Sequence, residues 1–216
     1  KSNVKKEIKV GPSESMSKSK KNTIDPEKII SNYGADSVRL FILSDSPPEK
    51  DVQWSDEGIN SSYKFIQKLW NLNSLIENEI KQDHDNDKDQ NLTKFTNQFL
   101  KKILDNLNSF SYNIIIANLH EMHSFLIKEI KKGYTAKNLK ENYNKILIAI
   151  MPIIPHFALE CLEIQGFKGE LSWPKYDEKY LIKDKINYVI QINGKKRGLI
   201  ENEPNITQEN LLKIIK

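Results

Sequence analysis

Residues 55–80 read SDEGINSSYKFIQKLWNLNSLIENEI, and their apolar positions recur at spacings of three and four. That period is typical of a helix with one buried face. The recurring positions are Ile59, Tyr63, Ile66, Leu69, Trp70 and Ile76. The stretch therefore predicts a long helix that begins near Ser55 and buries one of its sides.

The sequence that follows repeats this pattern and predicts a helical bundle. A polar segment over 81–91 is predicted to be a solvated linker, and a later helix over about 136–151 ends before Pro152, with a short one after Pro155. Amphipathic helices joined by short loops are typical of such bundles. The two helices between carry Leu92, Phe95, Phe99, Ile103, Leu107 and Phe110, and then Ile115, Leu119, Met122, Leu126 and Ile130. Aromatic residues on these faces are predicted to pack in the core rather than to stack on RNA bases. They are Trp70, Phe95, Phe99 and Phe110.

The regions on either side of the bundle differ from it. Before residue 55, Asp25 and Pro26 predict the start of a helix that Gly34 ends, and a second helix follows over 35–43. After Trp173-Pro174 the pattern changes to a small α+β unit. Its elements are a strand over 186–192, a two-residue turn at Asn193-Gly194, a return strand over 195–200 and a last helix capped by Thr207. Because one hairpin and one helix make a thin core, we expect this unit to be cut short.

Composition and charge indicate a soluble, cytoplasmic protein that does not enter a membrane. Of the 216 residues, 33 are Lys or Arg and 29 are Asp or Glu, and a net charge of +4 does not by itself indicate nucleic-acid binding. The single cysteine, Cys161, excludes an internal disulfide and a cysteine-rich zinc module. Only two arginines, Arg39 and Arg197, occur beside many lysines, which we interpret as the bias of an AT-rich genome.

The segment best suited to chemistry is residues 15–22, which read SMSKSKKN. Ammonium groups neutralise phosphate charge while hydroxyl and backbone N–H groups donate hydrogen bonds, so this loop before a helix suits a polyphosphate. A flexible linker is the plain alternative. A Walker loop and the Ser-x-x-Lys site of penicillin-binding enzymes are excluded because their companion residues are absent.

Two patterns suggest a metal site, but each lacks other residues that such a site requires. His120 and His123 stand three residues apart on a helix but lack carboxylate or cysteine partners, which favours packing and surface roles. Residues 83–89 begin like a calcium loop, yet Lys88 and Lys94 occupy the positions that require Gly and Glu. The sequence therefore predicts no metal site.

Five segments, in order along the chain, resemble class I aminoacyl-tRNA synthetases. Residues 16–22 look like the K-M-S-K-S signature loop, and residues 33–39 (YGADSVR) and 151–157 (MPIIPHF) resemble elements of the leucine, isoleucine, valine and methionine subgroup. Residues 51–59 (DVQWSDEGI) and 189–198 (VIQINGKKRG) are similar to the leucyl-tRNA synthetase family. The resemblance therefore covers nearly the whole chain.

This resemblance implies a mainly α fold with three parts. Residues 1–54 would be the end of a nucleotide-binding catalytic domain, residues 55–174 a helical bundle of the anticodon-binding type, and residues 175–216 a small, truncated α+β tRNA-binding domain. The implied activity is the ATP-dependent attachment of leucine to its tRNA, with Mg²⁺ accompanying ATP, in a monomeric enzyme. Two alternatives stay open: a non-catalytic helical tRNA-binding module, and an isoleucyl or valyl member of the subgroup.

The resemblance also implies roles for single residues. Lys18 falls on the second signature lysine and is the implied catalytic residue, whereas Ser15 stands where the family has its first lysine. The histidines of this chain form no His-Ile-Gly-His motif, so the chain alone is expected to be inactive. ATP contacts are implied for Met16, Ser17, Lys18 and Ser19, and tRNA phosphate contacts for Lys195, Lys196 and Arg197.

Overall fold

The computed structural model describes residues 11–44, 47–84, 90–181, 186–203 and 206–215. The early lysines Lys5, Lys6 and Lys9, and residues 85–89 of the calcium-like run, lie outside the described residues. The predicted mainly helical fold is confirmed. Its elements are α1 Pro26–Tyr33, α2 Ala35–Ser44, α3 Asp56–Gln82, α4 Asn91–Asn108, α5 Tyr112–Glu129, α6 Ala136–Ile150, α7 Pro155–Ile164, β1 Ile186–Ile192, β2 Lys195–Asn202 and α8 Gln208–Ile215. Single-turn 3₁₀ helices span Ile130–Lys132 and Glu178–Tyr180.

The long helix α3 begins where the sequence predicts. The Ser55 hydroxyl accepts a hydrogen bond from the Gly58 backbone N–H at 3.1 Å, and Asp56 and Glu57 place negative charge in the first turn. Acidic side chains are favourable there because the unpaired N–H groups make that end of a helix positive. Helix α3 ends at Gln82, and the next residue, Asp83, adopts a left-handed backbone conformation with a φ of 44°.

The core lies between helices α2 to α7. Helix α4 packs against α5 and α6, and α2 packs against α3, α5 and α7. Helix α2, which precedes the bundle, is therefore part of the same packed unit as the bundle. Completely buried side chains in this core include Ile59, Ile76, Leu100, Ile103, Ile115, Leu119, Leu126, Leu139, Ile146 and Ile154.

Two predictions for the bundle are wrong in part. Phe110 lies beyond the end of α4, has a φ of 54° and leaves 60% of its surface exposed, so it is not a core residue. Of the predicted solvated linker over 81–91, the first two residues belong to α3, and the Asp83 carboxylate accepts a hydrogen bond from the Ala136 backbone N–H at 2.8 Å. Asp83 thereby satisfies one of the unpaired donors at the start of α6.

The C-terminal unit forms the predicted antiparallel hairpin. Asn193 and Gly194 have φ angles of 51° and 75°, which is the conformation of a type I′ turn. Strand β2 follows and pairs with β1 from Ile186 opposite Asn202 to Ile192 opposite Lys195. In the described parts of the chain, no helix is long and apolar enough to cross a membrane.

Candidate functional site

Residues 15–22, which we call the Ser/Lys loop and which were predicted to bind a polyphosphate, form a compact turn. The Lys20 backbone N–H donates to the Ser17 carbonyl oxygen at 3.2 Å, and the Lys21 N–H donates to the Lys18 carbonyl oxygen at 3.2 Å. The hydroxyl oxygens of Ser17 and Ser19 lie 3.2 Å apart, and Ser17 is partly shielded from solvent. The loop therefore folds back on itself instead of forming an extended linker.

Asn22 closes this loop with both ends of its side-chain amide. Its Oδ1 accepts a hydrogen bond from the Ser17 backbone N–H at 2.8 Å, and its Nδ2 donates to the Ser15 carbonyl oxygen at 3.3 Å. Asn22 lies within the predicted loop, but no role was predicted for it. The preference of Asn for bonding to nearby backbone groups in turns is the signal that would have identified it.

Lys18 presents its ammonium group to solvent. Within the described parts of the chain, this group makes no hydrogen bond or ion pair, whereas the neighbouring Lys20 ammonium contacts the Glu14 carboxylate at 2.9 Å. Met16 is 47% exposed, and Ser15 and Ser19 are exposed as well. The Lys21 ammonium is likewise exposed and makes no such contact in the described parts of the chain, so the loop offers two unpaired cations together with hydroxyl groups, which is a donor set that suits an external anion.

A second polar cluster joins two of the segments that carry the family resemblance. Asp36 in α2 is only 6% exposed, and its Oδ2 accepts a hydrogen bond from the Phe157 backbone N–H at 2.7 Å. Its Oδ1 accepts from the His156 ring Nδ1 at 2.9 Å and from the His156 backbone N–H at 3.4 Å. Asp36 therefore caps the start of α7 from a neighbouring helix.

Arg39 completes this cluster one helical turn after Asp36. Its Nε donates to the Ile153 carbonyl oxygen at 2.9 Å, and its Nη2 donates to the Pro152 carbonyl oxygen at 2.6 Å. Those carbonyls lie in the turn between α6 and α7, outside either helix. We call these contacts of Asp36 and Arg39 with residues 152, 153, 156 and 157 the α2–α7 clasp.

The role of Arg39 was not predicted from the sequence. The scarcity of arginine was interpreted as a genomic bias, yet Arg39 uses the geometry that distinguishes arginine from lysine, a planar fork reaching two acceptors at once. An arginine retained in a lysine-rich chain is itself the signal that would have marked it. The pairing with residues 152 and 153 had no such signal, because more than a hundred residues separate the partners.

The second basic cluster lies at the start of β2. Lys195, Lys196 and Arg197 are all exposed, and in the described parts of the chain none of them forms an ion pair. Ile190 pairs with Gly198 and Gln191 pairs with Lys196, so Arg197 is the extra residue of a β-bulge. A bulge interrupts the strict alternation of side chains between the two faces of a strand.

The chain between the bundle and the hairpin is fastened to α4. Asn97 is 3% exposed, and its Oδ1 accepts a hydrogen bond from the Asp177 backbone N–H at 2.7 Å. The neighbouring Gln98 donates from Nε2 to the Tyr180 carbonyl oxygen at 3.0 Å. These two contacts hold the 3₁₀ turn that precedes the C-terminal unit against the bundle.

The histidine pair on α5 packs against an aromatic ring. The His120 ring is stacked on Phe65 with centroids 3.8 Å apart, and the His123 ring lies 6.1 Å from Phe65. Burial lowers the pKa of both imidazoles below the usual 6.5, and the positive charge of Lys68 lowers both further. The observed contacts agree with the predicted packing role.

Two family models match this chain. The anticodon-binding domain of tRNA ligase matches residues 89–215, and the class I tRNA synthetases for isoleucine, leucine, methionine and valine match residues 9–55. The second match contains the Ser/Lys loop, and the first contains helices α4 to α8 and the hairpin.

Curated relatives and a solved structure agree with these families. The chain is 41% identical over 214 residues to the leucine–tRNA ligase of Wolbachia pipientis subsp. Culex pipiens, covering 96% of this chain and 26% of that protein. It is 38% identical to the enzyme of the same name from Bartonella quintana, covering 89% of this chain and 23% of that protein. The chain thus spans about a quarter of the length of these relatives.

The fold is similar to that of a solved ternary complex, Agrobacterium radiobacter K84 agnB2 LeuRS-tRNA-LeuAMS. The TM-score is 0.74 at 21% sequence identity, over 93% of this chain and 27% of that one. At that identity the similarity supports the fold alone, while the family model covering residues 89–215 supplies the sequence relationship. The chain therefore belongs to the family of tRNA ligases that carry this anticodon-binding domain.

Proposed function

We propose that this chain is the C-terminal part of a leucine–tRNA ligase. The observation that carries the proposal is sequence identity of 41% to such an enzyme across 96% of the chain, including the Ser/Lys loop. In the proposed reaction, leucine and ATP form leucyl-adenylate with release of pyrophosphate, and the leucyl group then passes to the 3′ end of the tRNA. This chain would supply the signature loop and the tRNA-binding helices.

The role we assign to Lys18 rests on its match to the second signature lysine and on its unpaired ammonium group. As the leucine carboxylate attacks the α-phosphorus of ATP, negative charge builds on the phosphate oxygens, and a fixed cation beside them lowers the barrier. Ser17 and Ser19 donate hydrogen bonds to the same oxygens, while Asn22 holds the loop in its turn. Met16 contacts the nucleotide as part of the loop.

The donor set of this loop also bears on magnesium. Ammonium and hydroxyl groups suit phosphate oxygens, whereas Mg²⁺ prefers oxygen ligands such as carboxylates and phosphates. Glu14, the acidic residue just before the loop, already pairs with Lys20. Mg²⁺ would therefore be held by ATP itself, where it neutralises phosphate charge, and we assign no residue of this chain as its ligand.

Mutation of Lys18 tests this assignment in the complete enzyme. Lys18→Ala should lower leucine-dependent ATP–pyrophosphate exchange by about 10²-fold or more, a typical effect of removing a charge-stabilising donor. The affinity for tRNA, measured by filter binding, should change little. Lys137→Ala, which removes an exposed lysine on α6, is the matched control and should retain full exchange. Unchanged exchange in Lys18→Ala would contradict the role of Lys18.

The second part of the proposal concerns tRNA. Three exposed cations on one short stretch of β2 can contact neighbouring RNA phosphates, which adds affinity without reading bases. Replacing Lys195, Lys196 and Arg197 by alanine should weaken tRNA binding and flatten its salt dependence, by up to about 0.9 log units of slope for each duplex phosphate that these cations neutralise. Leucyl-adenylate formation should continue. If the triple variant binds tRNA with the same affinity and salt dependence as the wild type, these cations do not bind phosphate, and their role is to protect an exposed strand edge from pairing with other chains.

The remaining parts of the proposal are coarser. We place the end of the catalytic domain at residues 1–54, the anticodon-binding bundle at 55–174 and the small tRNA-binding domain at 175–216, in a monomeric, cytoplasmic enzyme. Taken alone, this chain would act as a tRNA-binding module, because it carries the signature loop without a His-Ile-Gly-His motif. The chain alone should therefore bind tRNA without leucine-dependent exchange, and measurable exchange would contradict that division of roles.

A further inference from the structure

The α2–α7 clasp has an arrangement that simple packing does not require. One turn of α2 carries a negative and a positive side chain, and each binds backbone groups of the opposite partial charge at the corner between α6 and α7. Asp36 binds the N–H groups at the start of α7, and Arg39 binds the carbonyl groups that follow α6. The start of α7 carries a positive partial charge because its outermost N–H groups lack helical partners.

This arrangement fixes the position of α2 along the corner between α6 and α7. Apolar contacts of α2, such as those of the buried Leu40 and Phe41, hold it against the bundle but have no preferred direction. Charged hydrogen bonds are directional, and burying a carboxylate such as Asp36 is a poor way to gain stability alone. The clasp therefore fixes the position of α2 relative to α7 more than it adds to the free energy of unfolding.

The proposed ATP loop is connected to the clasp by a short and ordered path. Residue 22 closes the loop, Asp25 caps α1 through the Glu27 N–H at 3.1 Å, and Gly34 is the single residue between α1 and α2. Tyr33 at the end of α1 also contacts Tyr63 of α3, with ring centroids 5.8 Å apart. A shift of α2 against α7 would therefore move the loop relative to the bundle.

We propose that Asp36 and Arg39 are positioning residues that align the ATP loop with the bundle, so that a tRNA bound by the bundle presents its 3′ end to the activated leucine. This inference rests on the proposed function and adds a residue-level account of how its two sites are aligned. It assigns no chemical step to either side chain. It predicts that the transfer of leucine to tRNA depends on the clasp, whereas the formation of leucyl-adenylate does not.

The test uses the complete enzyme with Asp36→Asn, Arg39→Met and Arg39→Lys. Single-turnover transfer from preformed leucyl-adenylate to tRNA should fall about tenfold or more in Asp36→Asn and Arg39→Met, since small misplacements of reacting groups have effects of that order. Exchange and the tRNA dissociation constant should stay within about twofold. Arg39→Lys, which keeps the charge but loses the fork, should restore part of the transfer rate. Asp105→Asn, which breaks an ion pair within α4, should behave like wild type.

The possible outcomes separate this inference from the proposed function. A wild-type enzyme that neither activates leucine nor charges its tRNA would remove the proposed function and this inference with it. An active wild type whose clasp variants transfer leucine normally would remove the inference alone. Equal losses of exchange and transfer, together with a lowered melting temperature, would show that the clasp is only structural. If Asp36→Asn does not fold, the two Arg39 variants still decide the outcome through the ratio of transfer to exchange.

Discussion

In the helical bundle, side chains such as Ile103 and Leu119 are completely buried, whereas in the C-terminal unit Val189, Leu199 and Leu212 each leave about half of their surface exposed. The bundle gains its stability by removing apolar surface from water between helices that are distant in sequence. The hairpin depends on a two-residue turn and on the pairing of adjacent strands. One region is therefore sensitive to the volume of its side chains, and the other to the conformation of a few backbone positions.

The largest difference is expected from leucine truncations in the two regions. Leu119→Ala should lower the free energy of unfolding by about 2–5 kcal/mol, because it opens a cavity in a close-packed core. Leu199→Ala, at a position 52% exposed, should change it by no more than about 0.5 kcal/mol. Urea unfolding followed by far-ultraviolet circular dichroism measures both. Equal losses would mean that the hairpin is packed as tightly as the bundle.

A smaller effect is expected at the connection between the two regions. Asn97→Ala removes the acceptor of the Asp177 N–H and the donor to the Thr93 carbonyl oxygen. Leaving buried polar groups without partners costs about 1–3 kcal/mol. Hydrogen exchange at the Asp177 amide should accelerate strongly, while Asn78→Ala, on the exposed side of α3, should leave it unchanged. Retained protection in Asn97→Ala would show that other contacts hold this connection.

The hairpin contains a matched pair of glycines, one in its turn and one in β2. Gly194 has a φ of 75°, and an alanine there should cost about 1–2 kcal/mol because side chains crowd the backbone in that region. At Gly198 an added Cβ would lie 3.5 Å from the Ile190 Cδ1, which is an ordinary contact, so Gly198→Ala should be tolerated. Hydrogen exchange of the β1 and β2 amides measures the difference. Faster exchange in Gly198→Ala than in Gly194→Ala would contradict the role of the turn.

The smallest effect is expected from pH, and it should be confined to the bundle. Because burial lowers the pKa of His120 and His123 in the folded chain, the unfolded chain binds protons more readily as the solution is acidified. Their contribution to stability is complete above about pH 6.5 and is lost as the pH falls through the folded-state pKa values. In the double variant His120→Gln, His123→Gln, the urea midpoint of unfolding should depend less on pH between pH 7 and 5 than it does in the wild type. An unchanged slope would assign the acid sensitivity to other groups.

Helix positions were predicted most accurately where capping residues and apolar periodicity agree. Asp25 with Pro26, Ser55 and Thr135 each cap a helix, and the first two were recognised as helix starts in advance. Phe110 was misplaced because it continues the apolar spacing of α4, while the Ser109–Ser111 region leaves the helix. Periodicity alone does not show where a helix ends when the next residue of the pattern is also apolar.

The candidate site was predicted to a more limited extent. The loop with Lys18 and the cations at 195–197 follow from residue types that lie next to one another, and their roles remain predictions. Asn22 lay within the predicted loop without a role. Asp36, Arg39 and Asn97 were not assigned at all, because their partners lie 80 to 121 residues away.

The sequence by itself determined the helical bundle, the hairpin turn and the Ser/Lys loop. Each of these depends on neighbouring residues: a spacing of three and four, two backbone positions with positive φ, or a run of small polar and basic side chains. Only the tertiary structure decided how α2 is fixed to the corner between α6 and α7. The clasp joins side chains of α2 to backbone groups near residue 155, and backbone N–H and C=O groups are the same in every sequence. No pattern of residues identifies such partners until the chain has folded.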